Sequence, residues 1–188
     1  HAGDLKIVLF DTRVKHSLAS SAYNERREQC EEGIRLIQTV HPEVGSLRYA
    51  TEDMLLKLVK PVNHMVYNRC SYVVAENERL LAGCEDLKNN DLKFFGRRMF
   101  ETHAGLKDLY EVSCDELDLL VDLVKGDPNV IGARMMGGGF GGCTINLVKA
   151  EAVDSLIKTV SEAYKSKTGT EMLAYMVEIE DGTGIIAY

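Results

Sequence analysis

GARMMGGGFGGCTINLV, Gly132 to Val148, is the stretch on which the reading of this chain turns. Six glycines (Gly132, Gly137, Gly138, Gly139, Gly141, Gly142) fall within eleven positions, in a chain that has 16 in all. Glycine loses more backbone freedom on folding than any other residue. Such a run persists where the chain needs positive φ, or where its backbone must come close to a phosphate, a ligand or another loop. Gly137, Gly139 and Gly142 formally satisfy G-x-G-x-x-G, but that dinucleotide fingerprint needs a strand before the loop and a helix after it. Downstream, Cys143, Ile145 and Leu147 alternate with Thr144 and Asn146, which is the period of a strand. Upstream, Val130 to Met135 is also short and apolar. Residues 130–148 are therefore predicted to form a β-hairpin, with no helix starting before Lys149. No G-K-[ST] follows, so it is not a Walker loop. A purely structural glycine-rich hairpin remains one reading of the spacing.

Working outward, Leu5 to Asp11 (LKIVLFD) reads as a strand. Ser17 or Ser20 can cap a helix in which Ala19, Ala22, Tyr23, Cys30, Ile34 and Ile37 recur at helical spacing, ending at His41-Pro42. Its polar face, Glu25, Arg26, Arg27, Glu28, Glu31 and Glu32, reads as solvated, with i,i+4 pairs. A short helix is predicted over Glu52–Val59. A long one starts near Asn63, with Val66, Cys70, Val73, Val74, Asn77, Leu80, Leu81 and Cys84 as one apolar stripe. A helix from Asp91 buries Leu92, Phe95, Met99, His103, Leu106 and Leu109. Ser113 and Glu116 suggest a capping box for the next helix, and the acids at its start suit the helix dipole. After the hairpin come an amphipathic helix (Val153, Leu156, Ile157, Val160, Tyr164), a strand over Met172–Ile179 and a possible edge strand at Ile185-Ile186. Strands grouped late, with helices between, imply an α+β fold: an antiparallel sheet with helices on one face.

Composition bounds the function. A chain of 188 residues suits one domain, residues 1–188, with a sizeable core. A formal charge of −7 argues against a nucleic-acid partner, which would favour a basic patch. No apolar run approaches the ~18 residues of a membrane span, and no signal peptide is evident. The five cysteines, Cys30, Cys70, Cys84, Cys114 and Cys143, are scattered without metal-like spacing, and the histidines likewise. They read as reduced thiols of a cytoplasmic protein, with Cys143 on the inward face of its strand. The first residue is His, so the chain is expected to be a processed or excised piece.

At three places the residues resemble a known family. GARMMGGGFGGCTINLV is similar to the third signature motif of the galactokinases, sugar kinases of the GHMP superfamily. KHSLASSAYNERREQCEE, Lys15 to Glu32, resembles the segment that opens their C-terminal half. THAGLKDLYEVSCDELD, Thr102 to Asp118, resembles a further family motif, of which YEVSCDELD is the most specific part. The resemblance runs over essentially the whole chain. Departures are mild: Met136 stands where the family often has Thr, and Ala104 and Gly105 where it often has a polar residue and Ser.

The resemblance implies a ferredoxin-like C-terminal domain with extra helices, belonging to an enzyme that phosphorylates galactose with ATP. The ATP-binding N-terminal half, with the catalytic residues and most contacts to ATP and Mg²⁺, is then expected outside this chain, so no catalytic and no metal-binding residue is assigned within it. Tyr23 is implied as the tyrosine whose hydroxyl reaches galactose; a phenol offers donor, acceptor and a flat ring. Without the family it would be a helix tyrosine with its ring in the core. Gly137, Gly138, Gly139, Gly141 and Gly142 are implied to pack beside the nucleotide loop of the other half. Lys15 either faces phosphate in the same cleft or is solvated. The partners implied are galactose, ATP and the covalently joined N-terminal half, with an apolar patch around Phe140 that could drive self-association. Half of a non-catalytic sugar sensor and a free-standing ligand-binding module are the other readings. The cousins acting on N-acetylgalactosamine would be expected to carry Trp where Phe140 stands.

Overall fold

The computed structural model describes residues 4–14, 19–179, 182 and 184, with the side chains of 19–21 left aside. Lys15 and the suggested strand at Ile185-Ile186 lie outside the described residues. The order is β1 (Leu5–Asp11), α1 (Ala19–Gln38), α2 (Glu52–Met54), α3 (His64–Lys88), α4 (Leu92–Asp108), α5 (Asp115–Val124), β2 (Val130–Met135), β3 (Cys143–Lys149), α6 (Val153–Thr168) and β4 (Leu173–Val177). The strands form one antiparallel sheet in the order β2-β3-β1-β4. With helices after β1 and after β3, that is the βαββαβ arrangement of a ferredoxin-like domain, in which the first connection has grown into five helices.

Local chemistry sets the helix starts. The Asn63 side chain accepts from the N–H groups of Met65 and Val66 and starts α3, and Asp91 accepts from Phe94 N–H and starts α4. The helix predicted over Glu52–Val59 begins on Thr51 but widens into a π-turn at Leu55–Val59, closed by Lys60 N–H on the Leu55 carbonyl. That turn seats Leu55 and Val59 in the core. The capping box predicted at Ser113 and Glu116 does not form. Cys114 takes the cap position, and the Ser113 hydroxyl donates to Asp118 instead.

One core lies between the sheet and helices α5 and α6, where Val8, Phe10, Ala133 and Val148 meet Leu120, Val124, Leu156 and Tyr164. The pairing register puts Thr144 opposite Phe10 and Asn146 opposite Val8. These two polar residues, both fully buried, therefore face the helices, and Cys143, Ile145 and Leu147 face the other way. This reverses the expectation that Cys143 points inward. The polar pair is tolerated because the Asn146 amide donates to the Val8 carbonyl and to the Thr144 hydroxyl, at 3.0 and 3.1 Å. On the opposite face Ile7, Ile145, Leu147, Leu87 and Phe95 line an open apolar groove of about 560 Å³.

A second core joins α1, the 44–59 segment and α3 through Ile37, Val44, Leu55, Val59, Val66 and Cys70. Helix α4 links the two by covering the free edge of β2. The outward N–H of Met135 donates to His103 Nδ1 at 3.3 Å. The backbones come so close that a Cβ on Gly96 would sit 1.9 Å from the Ile131 carbonyl oxygen. The apolar stripe predicted along α3 holds as far as Val74. Leu80, Leu81 and Cys84 are exposed, because the second half of α3 packs on α4 through Gly83, against Phe95 and Arg98, and turns these residues away.

Candidate functional site

The glycine loop has a locked root and a free tip. At the root, Thr12 donates to the Gly142 carbonyl through both its N–H, at 2.9 Å, and its hydroxyl, at 2.8 Å. Phe140 N–H donates to the Val112 carbonyl at 2.7 Å. Gly139 has φ +86°, and a Cβ there would lie 1.9 Å from the Val112 oxygen. Gly139 is therefore required by contacts inside this chain. At the tip, Met136, Gly137 and Gly138 are exposed, and a Cβ on Gly137 or Gly138 would meet nothing within 4 Å. Gly138 lacks even a positive φ, so nothing among the described residues requires it to be glycine.

Phe140 does not form the exposed patch expected around it. Its ring packs against Val112, Leu117 and Met135; at the hairpin the exposed apolar side chain is Met136, and an apolar groove opens on the far face of the sheet.

Two buried arginines tie the loop to α1. Arg69 is 2% exposed. It donates to the Leu109 carbonyl, to Gln29 Oε1 at 3.2 Å and to Glu111 Oε2 at 2.7 Å. Arg26 donates from Nε to the Tyr110 carbonyl at 2.7 Å and from Nη2 to that of Glu111 at 3.0 Å. Glu111 is held at φ +53°, an uncommon conformation for a residue with a side chain. The Arg69 guanidinium on its carboxylate holds Glu111 below the ordinary value near 4.5. The next residue, Val112, carries the carbonyl that grips Phe140. A continuous set of hydrogen bonds thus runs from α1 through residues 109–112 to the root of the glycine loop.

Tyr23 stands one turn before Arg26 on α1 and is 58% exposed. Its ring is not in the core, which was the expectation without the resemblance. Arg26, expected on a solvated face, is instead buried; on that face Arg27 and Glu31 make an i,i+4 ion pair at 2.9 Å, and Gln29 donates to Glu25 at the same spacing. Sequence reasoning missed both buried arginines. The available signals were Arg69 sitting between Val66 and Val73 in an apolar stripe, and Arg26 at i+3 from Tyr23.

A second polar cluster looks catalytic and is structural. His103 Nε2 is 3.3 Å from Asp118 Oδ1, and Lys107 Nζ is 3.0 Å from Asp118 Oδ2. Both ring nitrogens are engaged, since Nδ1 accepts from Met135 N–H. No nitrogen is left to take a substrate proton. Because Nδ1 accepts the Met135 N–H, the imidazole is neutral and staples β2, α4 and α5 together; burial pushes its pKa down in the same sense, with Asp118 opposing.

Residues 85–166 match the model of the GHMP kinases C terminal family. The galactokinase of Clostridium beijerinckii is 42% identical over 179 residues, 95% of this chain and 46% of that protein. The galactokinase of Thermotoga neapolitana is 40% identical over 177 residues, 94% of this chain and 48% of its own length. In structure, Lactococcus lactis galactokinase complexed with galactose superposes with a TM-score of 0.90 at 31% identity, over 97% of this chain and 47% of that one.

Residues 85–166 are thus similar to a GHMP kinase C-terminal domain, and the likeness to the C-terminal halves of galactokinases extends over nearly all of the chain.

L. major mevalonate kinase, at 18% identity and a TM-score of 0.60, shares the fold. The chain spans about half the length of the curated relatives it matches. No helix among its described residues is long and apolar enough to cross a membrane.

Proposed function

We propose that this chain is the C-terminal half of a galactokinase, which transfers the γ-phosphoryl group of ATP to galactose and yields galactose 1-phosphate. The observation that carries the reading is likeness to galactokinases along nearly all of the chain, including one solved with galactose bound. The geometry supports it. Tyr23 presents an exposed phenol able to donate to, or accept from, a sugar hydroxyl. The tip of the glycine loop, Gly137-Gly138, offers backbone without side chains to whatever approaches it, and the root beneath is held rigid from α1. A glycine with no internal reason to be glycine marks the place where a phosphate-bearing loop of the other half would come close. Lys15, outside the described residues, is proposed to face the same phosphates.

ATP supplies the phosphoryl group. The described residues contain no group of three or more His, Cys, Asp or Glu side chains able to hold a metal ion. By likeness to the galactokinases, we assign Mg²⁺ and the catalytic base to the part of the protein outside this chain. The open apolar face of the sheet is proposed as ground on which that part rests, and the free thiols fit a cytoplasmic enzyme.

An ADP-release assay on the full-length protein tests the reading. ADP should appear with MgATP and galactose, and much more slowly with glucose or without sugar. ADP release indifferent to galactose would overturn it.

A further inference from the structure

Cys30 on α1 and Cys70 on α3 meet where the two helices pack. Gly33, one turn beyond Cys30, leaves a notch in α1, and a Cβ there would lie 2.2 Å from Cys70 Sγ. The Cys70 sulfur is thus pressed against the α1 backbone, 4.0 Å from the Cys30 carbonyl oxygen. It lies against the turn of α1 that carries Cys30, whose own Sγ is 3.9 Å from the Tyr110 hydroxyl. Cys70 is buried and Cys30 is partly open to solvent. The guanidinium groups of Arg26 and Arg69, both fixed by the bonds described above, stand nearby.

The surroundings divide the labour between the two sulfurs. The hydrogen bond from Cys70 holds the Cys30 thiol below its ordinary value, with Tyr110, Arg69 and Arg26 adding to this against burial. Cys70 is pushed up by its partner and by burial. A thiol held low and partly open to solvent beside a buried one has the layout of an attacking and a resolving cysteine.

We propose that Cys30 and Cys70 are a peroxide-oxidisable pair that closes to a disulfide joining α1 to α3. The Cys30 thiolate attacks one oxygen of hydrogen peroxide, the O–O bond breaks, hydroxide leaves and Cys30 becomes a sulfenic acid. The Cys70 sulfur then attacks the Cys30 sulfur and gives up its proton, and the sulfenic hydroxyl departs as water. Overall two thiols lose two electrons and two protons, and one peroxide becomes two waters. The inference stands on α1 and α3 alone and does not depend on the kinase reading.

The test uses the full-length protein, reduced, desalted and exposed to a modest excess of hydrogen peroxide at neutral pH, then alkylated, digested and analysed by mass spectrometry. A Cys30–Cys70 crosslinked peptide should form, reversible by dithiothreitol. It should form several-fold faster than oxidation of Cys114 or Cys143, whose thiols burial pushes up. In Cys70→Ser, Cys30 should stop at the sulfenic acid and be labelled by a 1,3-diketone probe. Recovery of Cys30 and Cys70 as separate alkylated peptides, under conditions that oxidise the exposed Cys84, overturns the proposal. The wild-type crosslink is decisive even if the variant does not fold.

Discussion

Gly138 and Gly139 are neighbours with different reasons to be glycine. A methyl group on Gly139 meets the Val112 oxygen at 1.9 Å on a backbone already at φ +86°. Gly139→Ala should therefore cost about 1–3 kcal/mol of stability, seen as a Tm several degrees lower. A methyl group on Gly138 meets only open space among the described residues, so Gly138→Ala should leave stability within about 0.5 kcal/mol. If the tip faces a nucleotide loop, the same change in the full-length protein should lower kcat/KM for ATP roughly tenfold, equivalent to about 1.4 kcal/mol. Unchanged kinetics would remove the tip from the site. Tyr23→Phe takes away one hydroxyl and keeps the ring. A lost neutral hydrogen bond of about 0.5–1.5 kcal/mol predicts galactose use weakened several-fold to about tenfold, with KM for ATP nearly constant. Steady-state kinetics with each substrate varied separately distinguishes the two effects.

Among the elements, α3 and α4 each carry one polar residue that organises its neighbours. Arg69→Met would leave the Leu109 carbonyl without its buried donor and free Glu111 from the contact that helps hold it at positive φ. Removing that donor should cost about 1–3 kcal/mol in chemical denaturation, and Arg69→Lys should recover only part of it, because one ammonium cannot serve three acceptors spread over a guanidinium. The His103 staple predicts a pH dependence. Its pKa in the folded protein lies below the ordinary 6.5 because burial disfavours the charged ring. The unfolded chain therefore takes up the proton first as pH falls. The stability that neutral His103 contributes is complete above about pH 6.5 and is lost progressively as pH drops from there toward the folded pKa. Thermal melts from pH 7.5 to 5.5 should show this decline, and His103→Gln should flatten it; an equal slope in both proteins would count against the staple.

For the whole molecule, the sharpest expectation is that this chain alone phosphorylates nothing. Pockets for small molecules usually enclose roughly 70–90% of the ligand, and an exposed Tyr23 and an open loop tip supply at most one wall. Without a second wall, neither the positioning nor the preorganised charge that accelerates phosphoryl transfer is available. The purified chain, free of host kinase, should give no ADP above the no-protein rate with galactose and MgATP. Turnover restored by adding the separately made N-terminal half would support the division of labour. Turnover by this chain alone would show that the machinery lies within it.

Local chemistry was legible in the sequence. Period-two alternation fixed β3 and ruled out a helix after the glycines. Asn63 and Asp91 announced the starts of α3 and α4, and the spacing from Val153 to Tyr164 gave the inward face of α6. The motif at Tyr110–Asp118 pointed to the family. Which face of β3 is buried was not legible, because alternation distinguishes two faces without saying which one a helix covers. The register with β1 decided that Thr144 and Asn146 go under α5 and α6. The burial of Arg26 and Arg69 was hidden for a related reason. Each is held by carbonyls of residues 109–111, some 40 to 85 positions away along the chain, and an arginine's sequence neighbours do not reveal whether distant acceptors will replace its water. The tertiary structure also divided the glycine run into a root that serves this chain and a tip that does not, since steric need depends on which backbone comes near in space.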